Sequence, residues 1–333
     1  MKRIISESKQ RLSITTDIWV APYTGASYMV VTAHFIDVNW KMKKMIIGFK
    51  KWGIKRVFCI TVDNATANSS AMRKFKEKFK LVGDDAMVPK GEYLHLRCAT
   101  HILNLIVREG LQEIYSSVSA IRNGVHYVRS STNKVKAFDL RLETRKVTRG
   151  SLPLDVKTRW NSTYLMLDKA MKFRMAFEKI KDEDKPYNDY FEETVEGVKR
   201  VGPPTSSDWE AVDRLVQFLV IFYNSTLVLS ASTSVTAHKL YNEIVTITTN
   251  ISEISTTPGP DSELMKKADL MNKKLGKYWN PFGEKVEMNK LMIVAPIFDP
   301  RKKMRFAELC FESLYGKGSS EAIHLYDLAE LIL

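Results

Sequence analysis

Cysteine is scarce. Three residues in 333, Cys59, Cys98 and Cys310, form no disulfide framework, and an odd count points to reduced thiols. The opening "MKRIISESKQ" has no apolar core of the kind a secretory signal needs. No uninterrupted apolar run approaches the roughly 18 residues that span a bilayer. No repeat of fixed period is present. These absences speak against a secreted scaffold, a solenoid and a membrane-spanning segment, and leave the expectation of a soluble intracellular protein with no membrane partner.

What is present is base. Lysine and arginine number 51 against 38 acids, a net charge of +13. Such an excess favours a polyanionic partner, nucleic acid before an anionic membrane surface. Residues 41–56, "KMKKMIIGFKKWGIKR", carry seven bases and no acid: Lys41, Lys43, Lys44, Lys50, Lys51, Lys55 and Arg56. Residues 129–150 add seven bases against two acids. One basic run is ordinarily a solvated face, but two in a chain of this charge suit a surface that tracks phosphates.

The first hundred residues read as strands. "LSITTDIWV", "SYMVVTAHFIDV", "KKMIIGF", "RVFCITVD" and "YLHLRCA" are rich in β-branched and aromatic residues. Short connections among the first three predict an antiparallel meander. A helix should follow through "SSAMRKFKEKFK", capped by Asn68 or Ser69, with Met72, Phe75 and Phe79 at helical spacing. From about residue 101 the chain reads as helical, with a linker near 201–207 and a helix after it capped by Ser207 or Asp208. The expectation is an α+β chain: a small β-rich domain over 1–100, then a large helical region over 101–333.

Two acids stand at strand ends, Asp17 in "TTDIW" and Asp63 in "TVDNATAN". Each alone suits a turn or cap. Together, on neighbouring strands, they form the minimum set of carboxylates for Mg²⁺ or Mn²⁺. Cys98 and His101 make a C-x-x-H pair, but no other cysteine lies at finger spacing, so no zinc site is expected. Arg159 and Trp160 could stack on a splayed base, or Trp160 could anchor a core with Tyr164 and Leu165.

In order, "LSITTDIW", "ITVDNATAN", "LRCATHILNLIVREGL", "LDVKTRWNSTYLML" and "FDPRKKMRF" resemble blocks of the hAT superfamily of DNA transposases, in particular its plant RICESLEEPER- and DAYSLEEPER-like group. The resemblance runs from about Arg11 to Phe306. It implies an RNase H-like mixed sheet followed by a large all-α insertion, with DNA as partner; nuclear location is expected from that partner and from the basic runs. It implies that Asp17 and Asp63 are two members of a metal-binding acidic triad, with Cys98, His101, Arg159 and Trp160 near the DNA end. The sequence departs from that pattern. The family's third acid, a glutamate followed by Phe-Ser, has no match, since Glu321 in "SSEAIHLYDL" stands too soon after "DPRKK". No BED-type zinc finger precedes Arg11, the family's dimerisation segment has no counterpart, and the helix between the third and fourth strands is missing. The expectation is therefore a transposase-derived DNA-binding protein without catalysis. The alternatives are a metal-dependent nuclease or strand transferase, and a domesticated protein–protein interaction module.

Overall fold

A computed structural model describes residues 11–20, 27–47, 56–83, 85–87, 91–112, 114–141, 152–156, 159–231, 234–256, 262–282 and 288–333. Lys50, Lys51 and Lys55, and the expected deletion of a helix between the third and fourth strands, lie outside these residues. The chain forms two compact units. The first is Met1–Ile102, Val235–Asn242 and Lys277–Leu333; the second is Leu103–Ser234 and Glu243–Gly276. This differs from a single boundary near residue 100. Helical periodicity marks an apolar face but says nothing of which partner buries it, so the return of 277–333 to the sheet-containing unit was invisible locally.

In the first unit, β1 (Leu12–Val20), β2 (Ser27–Ile36), β3 (Met42–Ile46), β4 (Val57–Val62) and β5 (His95–Arg97) form a mixed sheet in the order β3-β2-β1-β4-β5. The expected meander is there: β2 pairs antiparallel with both β1 and β3, while β4 runs parallel to β1 and to β5. Strand alternation gives the sheet two unlike faces. Leu12, Ile14, Ala33, Phe35, Ile60 and Val62 are buried. Helix α1 (Thr66–Lys80) packs there through Met72, Phe75 and Phe79, the three residues whose spacing predicted it. The opposite register positions are polar: Ser13 and Thr15 on β1, Thr32 and His34 on β2, Cys59 and Thr61 on β4. Thr15 Oγ1 and His34 Nε2 lie 3.0 Å apart, and Cys59 Sγ lies 3.5 Å from Ser13 Oγ.

Helix α2 (Ala99–Gln112) starts in this unit and continues into the second. The remainder of the second unit is built on α3 (Tyr115–Arg129), α4 (Thr132–Asp139), α5 (Trp160–Lys172), α6 (Arg174–Glu183), α7 (Lys185–Glu192), a hairpin of β6 (Thr194–Val195) and β7 (Val198–Lys199), and α8 (Ser206–Leu229). Its core is aromatic, with Tyr187, Phe191, Trp209 and Phe222 at 1% exposure or less. Helix α8 corrects two expectations. Its cap is Thr205, earlier than Ser207 or Asp208: Thr205 Oγ1 accepts the Asp208 N–H while the Asp208 carboxylate accepts that of Thr205, a reciprocal capping box. By length and composition it is also the one helix among the described residues that could cross a membrane, which scanning for uninterrupted apolar runs overlooked. In its unit it acts as a core helix, burying Trp209, Val212, Leu215, Phe218, Leu219 and Phe222 and packing on α3 and α5.

Helices α9 (Ala237–Thr256) and α10 (Ser262–Trp279) each contribute to both units. The first unit is completed by α11 (Leu291–Val294), which runs into a 3-10 turn (Ala295–Phe298), α12 (Lys303–Tyr315) and α13 (Ser320–Ile332).

Candidate functional site

The two acids stand on parallel-paired strands, Asp17 within β1 and Asp63 one residue past β4. Thr15 pairs with Thr61, so two further residues along each chain set Asp17 level with Asp63. Asp17 is exposed and lies opposite Val30 on its other side. Asp63 is half-buried, one residue past β4, and is already engaged. Its Oδ1 accepts the Ala65 N–H at 2.9 Å and a short hydrogen bond from Asn68 Nδ2. This corrects the expected cap of α1. The helix begins at Thr66 behind Ala65, which has no side chain able to cap, and the Asp63–Asn68 link fastens the turn instead.

Two level carboxylates, one with an oxygen committed, suit a single Mg²⁺ that keeps most of its waters. They do not suit a pair of ions, and no group of three His, Cys, Asp or Glu that could hold a metal occurs among the described residues.

The C-x-x-H pair sits at the same end of the sheet. Cys98 N–H donates to the Val62 carbonyl at 2.8 Å, and the Cys98 carbonyl accepts the Ile102 N–H at 3.0 Å, so Cys98 opens α2. Its thiol lies 3.2 Å from Thr100 Oγ1. His101 is half-buried on the first turn. Arg97, beside them, donates to Asn64 Oδ1 at 3.5 Å, so the chain next to Asp63 is tied to β5.

The R-W pair belongs to the second unit. Arg159 is exposed, whereas Trp160 is 4% exposed and packs against Tyr164 with ring centroids 6.4 Å apart. A ring so buried presents no face to a base, and the core-anchor reading is the one its surroundings favour; Leu165, at 39% exposure, does not share that role. The preceding loop is held by Asp155, whose side chain is fully buried and accepts from Arg122 Nε and Nη2 and from Thr163 Oγ1 at 2.9 Å. Ser162 Oγ accepts the Val156 N–H at 2.8 Å, fastening the same loop to the start of α5.

The bases of 41–56 are less available than their sequence implied. Lys43 Nζ lies 3.3 Å from Asp37, and Arg56 pairs with Asp85, as does Arg11 at 2.6 Å. Lys41 and Lys44 are exposed. The stronger surface is one that sequence reasoning treated only as a helix. Helix α1 carries Arg73, Lys74, Lys76, Lys78 and Lys80 against the single acid Glu77. No ion pair holds these five among the described residues, and all except half-buried Lys76 are exposed. The signal was legible: five bases in eight residues on a helix whose other face is apolar.

Three family models match the chain. Residues 15–52 match a ZBED1 RNase-like domain, 96–218 a ZBED1 RNase-like helical domain, and 238–332 a hAT-like transposase RNase-H fold. The last range covers most of the two later segments that the structure folds into the sheet-containing unit, together with the Glu243–Gly276 stretch of the other unit. Similar proteins include the zinc finger BED domain-containing protein RICESLEEPER 2 of Oryza sativa subsp. japonica, 24% identical over 95% of this chain and 44% of that protein. The putative AC transposase of Zea mays is 29% identical over 98% of this chain and 40% of its own length. DAYSLEEPER of Arabidopsis thaliana is 23% identical over 95% and 45% respectively. The chain thus spans less than half the length of these relatives.

Proposed function

We propose, on the premise that this chain is built of hAT-like transposase domains and is homologous to the RICESLEEPER, DAYSLEEPER and AC proteins, that it is a nuclear DNA-binding protein that does not itself cleave strands. The observation that carries the reading is helix α1, whose five bases have no acid partner among the described residues. Lys41 and Lys44 extend the positive surface. Phosphate contacts of this kind fix affinity without reading sequence. Binding is therefore non-specific, with a dissociation constant on the order of 10⁻⁴–10⁻⁶ M at physiological salt. As for cleavage, two carboxylates with one oxygen already bonded would hold one Mg²⁺ loosely, leaving the leaving group of a phosphoryl transfer without its own cation.

The test is fluorescence anisotropy of a labelled duplex across a salt series. Log-linear weakening with salt is expected, its slope counting the phosphates contacted. A folded chain that leaves the duplex free even at low salt overturns the reading.

The level placement of Asp17 and Asp63 supports a second reading, a Mg²⁺-dependent nuclease. Nicking of supercoiled DNA that Asp17→Asn and Asp63→Asn each abolish would establish it. Nicking that survives both substitutions would assign the activity elsewhere.

A further inference from the structure

We propose that Trp40, at the tip of the turn between β2 and β3, is a platform on which an unpaired base of a DNA strand stacks. The proposal rests on the DNA-binding reading above and adds to it a preference for strand structure. It starts from exposure. Trp40 is 87% exposed and nearby Val38 is 92% exposed, the reverse of Trp160, whose 4% leaves no ring face for a base. Folding ordinarily spends a tryptophan ring on a core, and a ring set out almost whole in water suits a partner that covers it.

The turn is built to hold the ring there. Trp40 has φ 58°, a left-handed conformation that a bulky side chain rarely adopts. Asp37 keeps it in place: its Oδ1 accepts the N–H groups of Asn39 and Lys41, each at 2.9 Å. The Asp37 carbonyl accepts the Trp40 N–H at 3.0 Å, and the Asp37 N–H donates to the Lys41 carbonyl at 2.9 Å. These bonds fasten the turn without using the indole. A position that glycine would fill without cost is thus held by a ring that adds nothing to the core, the kind of strain that marks a binding role.

Charge and placement narrow the partner. Lys41 and Lys44 are exposed and make no ion pair among the described residues, while Lys43 lies 3.3 Å from Asp37. An anion is therefore favoured beside the ring. The basic helix α1 ends on the same side. Strand β2 runs back along β1, from Ser27 opposite Val20 to His34 opposite Ser13, so the turn after it stands beside the start of β1. The parallel strand β4 starts at that end too, and α1, which follows β4, returns to it: the Val57 N–H donates to the Ala86 carbonyl at 2.8 Å, just beyond the helix. Lys78 and Lys80, in the last turn of α1, therefore close near the end where Trp40 stands. There β2 and β4 are two strands apart, about 10 Å, roughly three base-pair steps of DNA.

Helix α1 offers phosphate contacts alone, because Phe75 and Phe79 pack on the sheet. The turn adds an aromatic face. A paired base inside a duplex is covered on both sides by its neighbours, and prising a step open is costly. A base at a bulge, at an overhang or in a single strand offers its face freely, and its phosphate falls to Lys41 and Lys44. The shared end with α1 favours nucleic acid over an anionic lipid surface, which would also suit a tryptophan among lysines.

Fluorescence anisotropy of the full chain with two labelled duplexes, identical except for one bulged base, tests the assignment. The bulged duplex should bind at least about fivefold more tightly, the effect of stacking one base. Trp40→Gly, which the left-handed turn accepts without strain, should abolish that preference and change affinity for the paired duplex less than about twofold. Trp40→Phe, which keeps a smaller ring, should retain part of it. Oligo(dT) should quench the part of the tryptophan emission that Trp40→Gly removes. Equal affinity for the two duplexes, or a preference that survives Trp40→Gly, overturns the proposal and leaves the DNA-binding reading standing. Binding to neither duplex overturns both. Equal affinity for the two duplexes together with Trp40-dependent sedimentation on phosphatidylserine vesicles overturns the proposal and assigns the tip to a membrane surface.

Discussion

The two units put comparable motifs to opposite uses. In the sheet-containing unit, Asp17 within β1, Asp63 just past β4 and His101 at a helix start are exposed or half-buried. In the helical unit the equally conspicuous Arg159-Trp160 block is sewn into the core: Trp160 packs on Tyr164, Tyr164 stacks on Tyr223, and Asp155 braces the loop before it. A motif's chemistry is decided by how much of it remains at the surface. The first unit keeps its polar groups available, and the second spends them on holding itself together.

The largest test of this contrast is Trp209→Ala. Trp209 is 1% exposed and lies 5.6 Å from the Phe177 ring, so truncation should cost about 3–5 kcal/mol. Hydrogen exchange should show the loss in residues 103–234 and spare β1 and β4. Equal loss of protection in both would break the division into units. Next, Asp155→Ala strands the Arg122 guanidinium, 8% exposed, without a counter-charge, and thermal denaturation should register about 3 kcal/mol or more. Asp63→Asn in the first unit should cost under about 1 kcal/mol, because a half-buried amide still accepts from Ala65.

A smaller effect should separate the two basic regions. Replacing Lys74 and Lys78 of α1 with glutamine should lower the salt slope of duplex binding by about 1.8, at about 0.9 per phosphate contact. Replacing Lys134 and Lys136 of the second unit should change affinity less than about twofold, since Lys134 lies 3.8 Å above the Tyr127 ring and Lys136 stands on the same short helix. Equal losses from both pairs would show that the helical unit shares the phosphate surface.

The subtlest difference is in pH. His34, His95 and His238 all lie in the first unit, and burial is the main cause that lowers the pKa of each. A lowered histidine is neutral in the folded unit and takes a proton more readily when unfolded. Its contribution is therefore complete above about 6.5 and is lost as pH falls below that toward the folded value. Protection factors, which remove the intrinsic slowing of exchange at low pH, should fall between pH 7.5 and pH 5 in the strands and change less in α3 and α8. The reverse order would mean that other groups govern acid sensitivity.

Much of the sheet was legible. All five strands, the meander and the helix carrying Met72, Phe75 and Phe79 followed from β-branched runs and helical spacing. The level placement of Asp17 and Asp63 needed the register, which only the pairing of Thr15 with Thr61 supplies. The hairpin of β6 and β7 was missed although Glu196-Gly197 between valines is a two-residue turn signal, and both residues adopt positive φ, 51° and 80°. A cavity beside β5 had no local signature, because its lining residues His95 and Lys290 are far apart in sequence and share it through folding alone. Pairing of basic residues was equally hidden: nothing in "KKWGIKR" shows that Arg56 will be shared with Asp85.

Asn289, which bridges the carbonyls of Tyr93 and His95, also sets a schedule for synthesis. Strand β5 is an outer strand of the sheet, and outer strands left open invite pairing with other chains. At roughly 5–20 residues per second, the ribosome takes on the order of 10–40 s to travel from β5 to Asn289. Throughout that interval the nascent sheet carries an unsealed border. The yield of folded protein should therefore depend on chaperone supply as well as on the stability of the finished molecule.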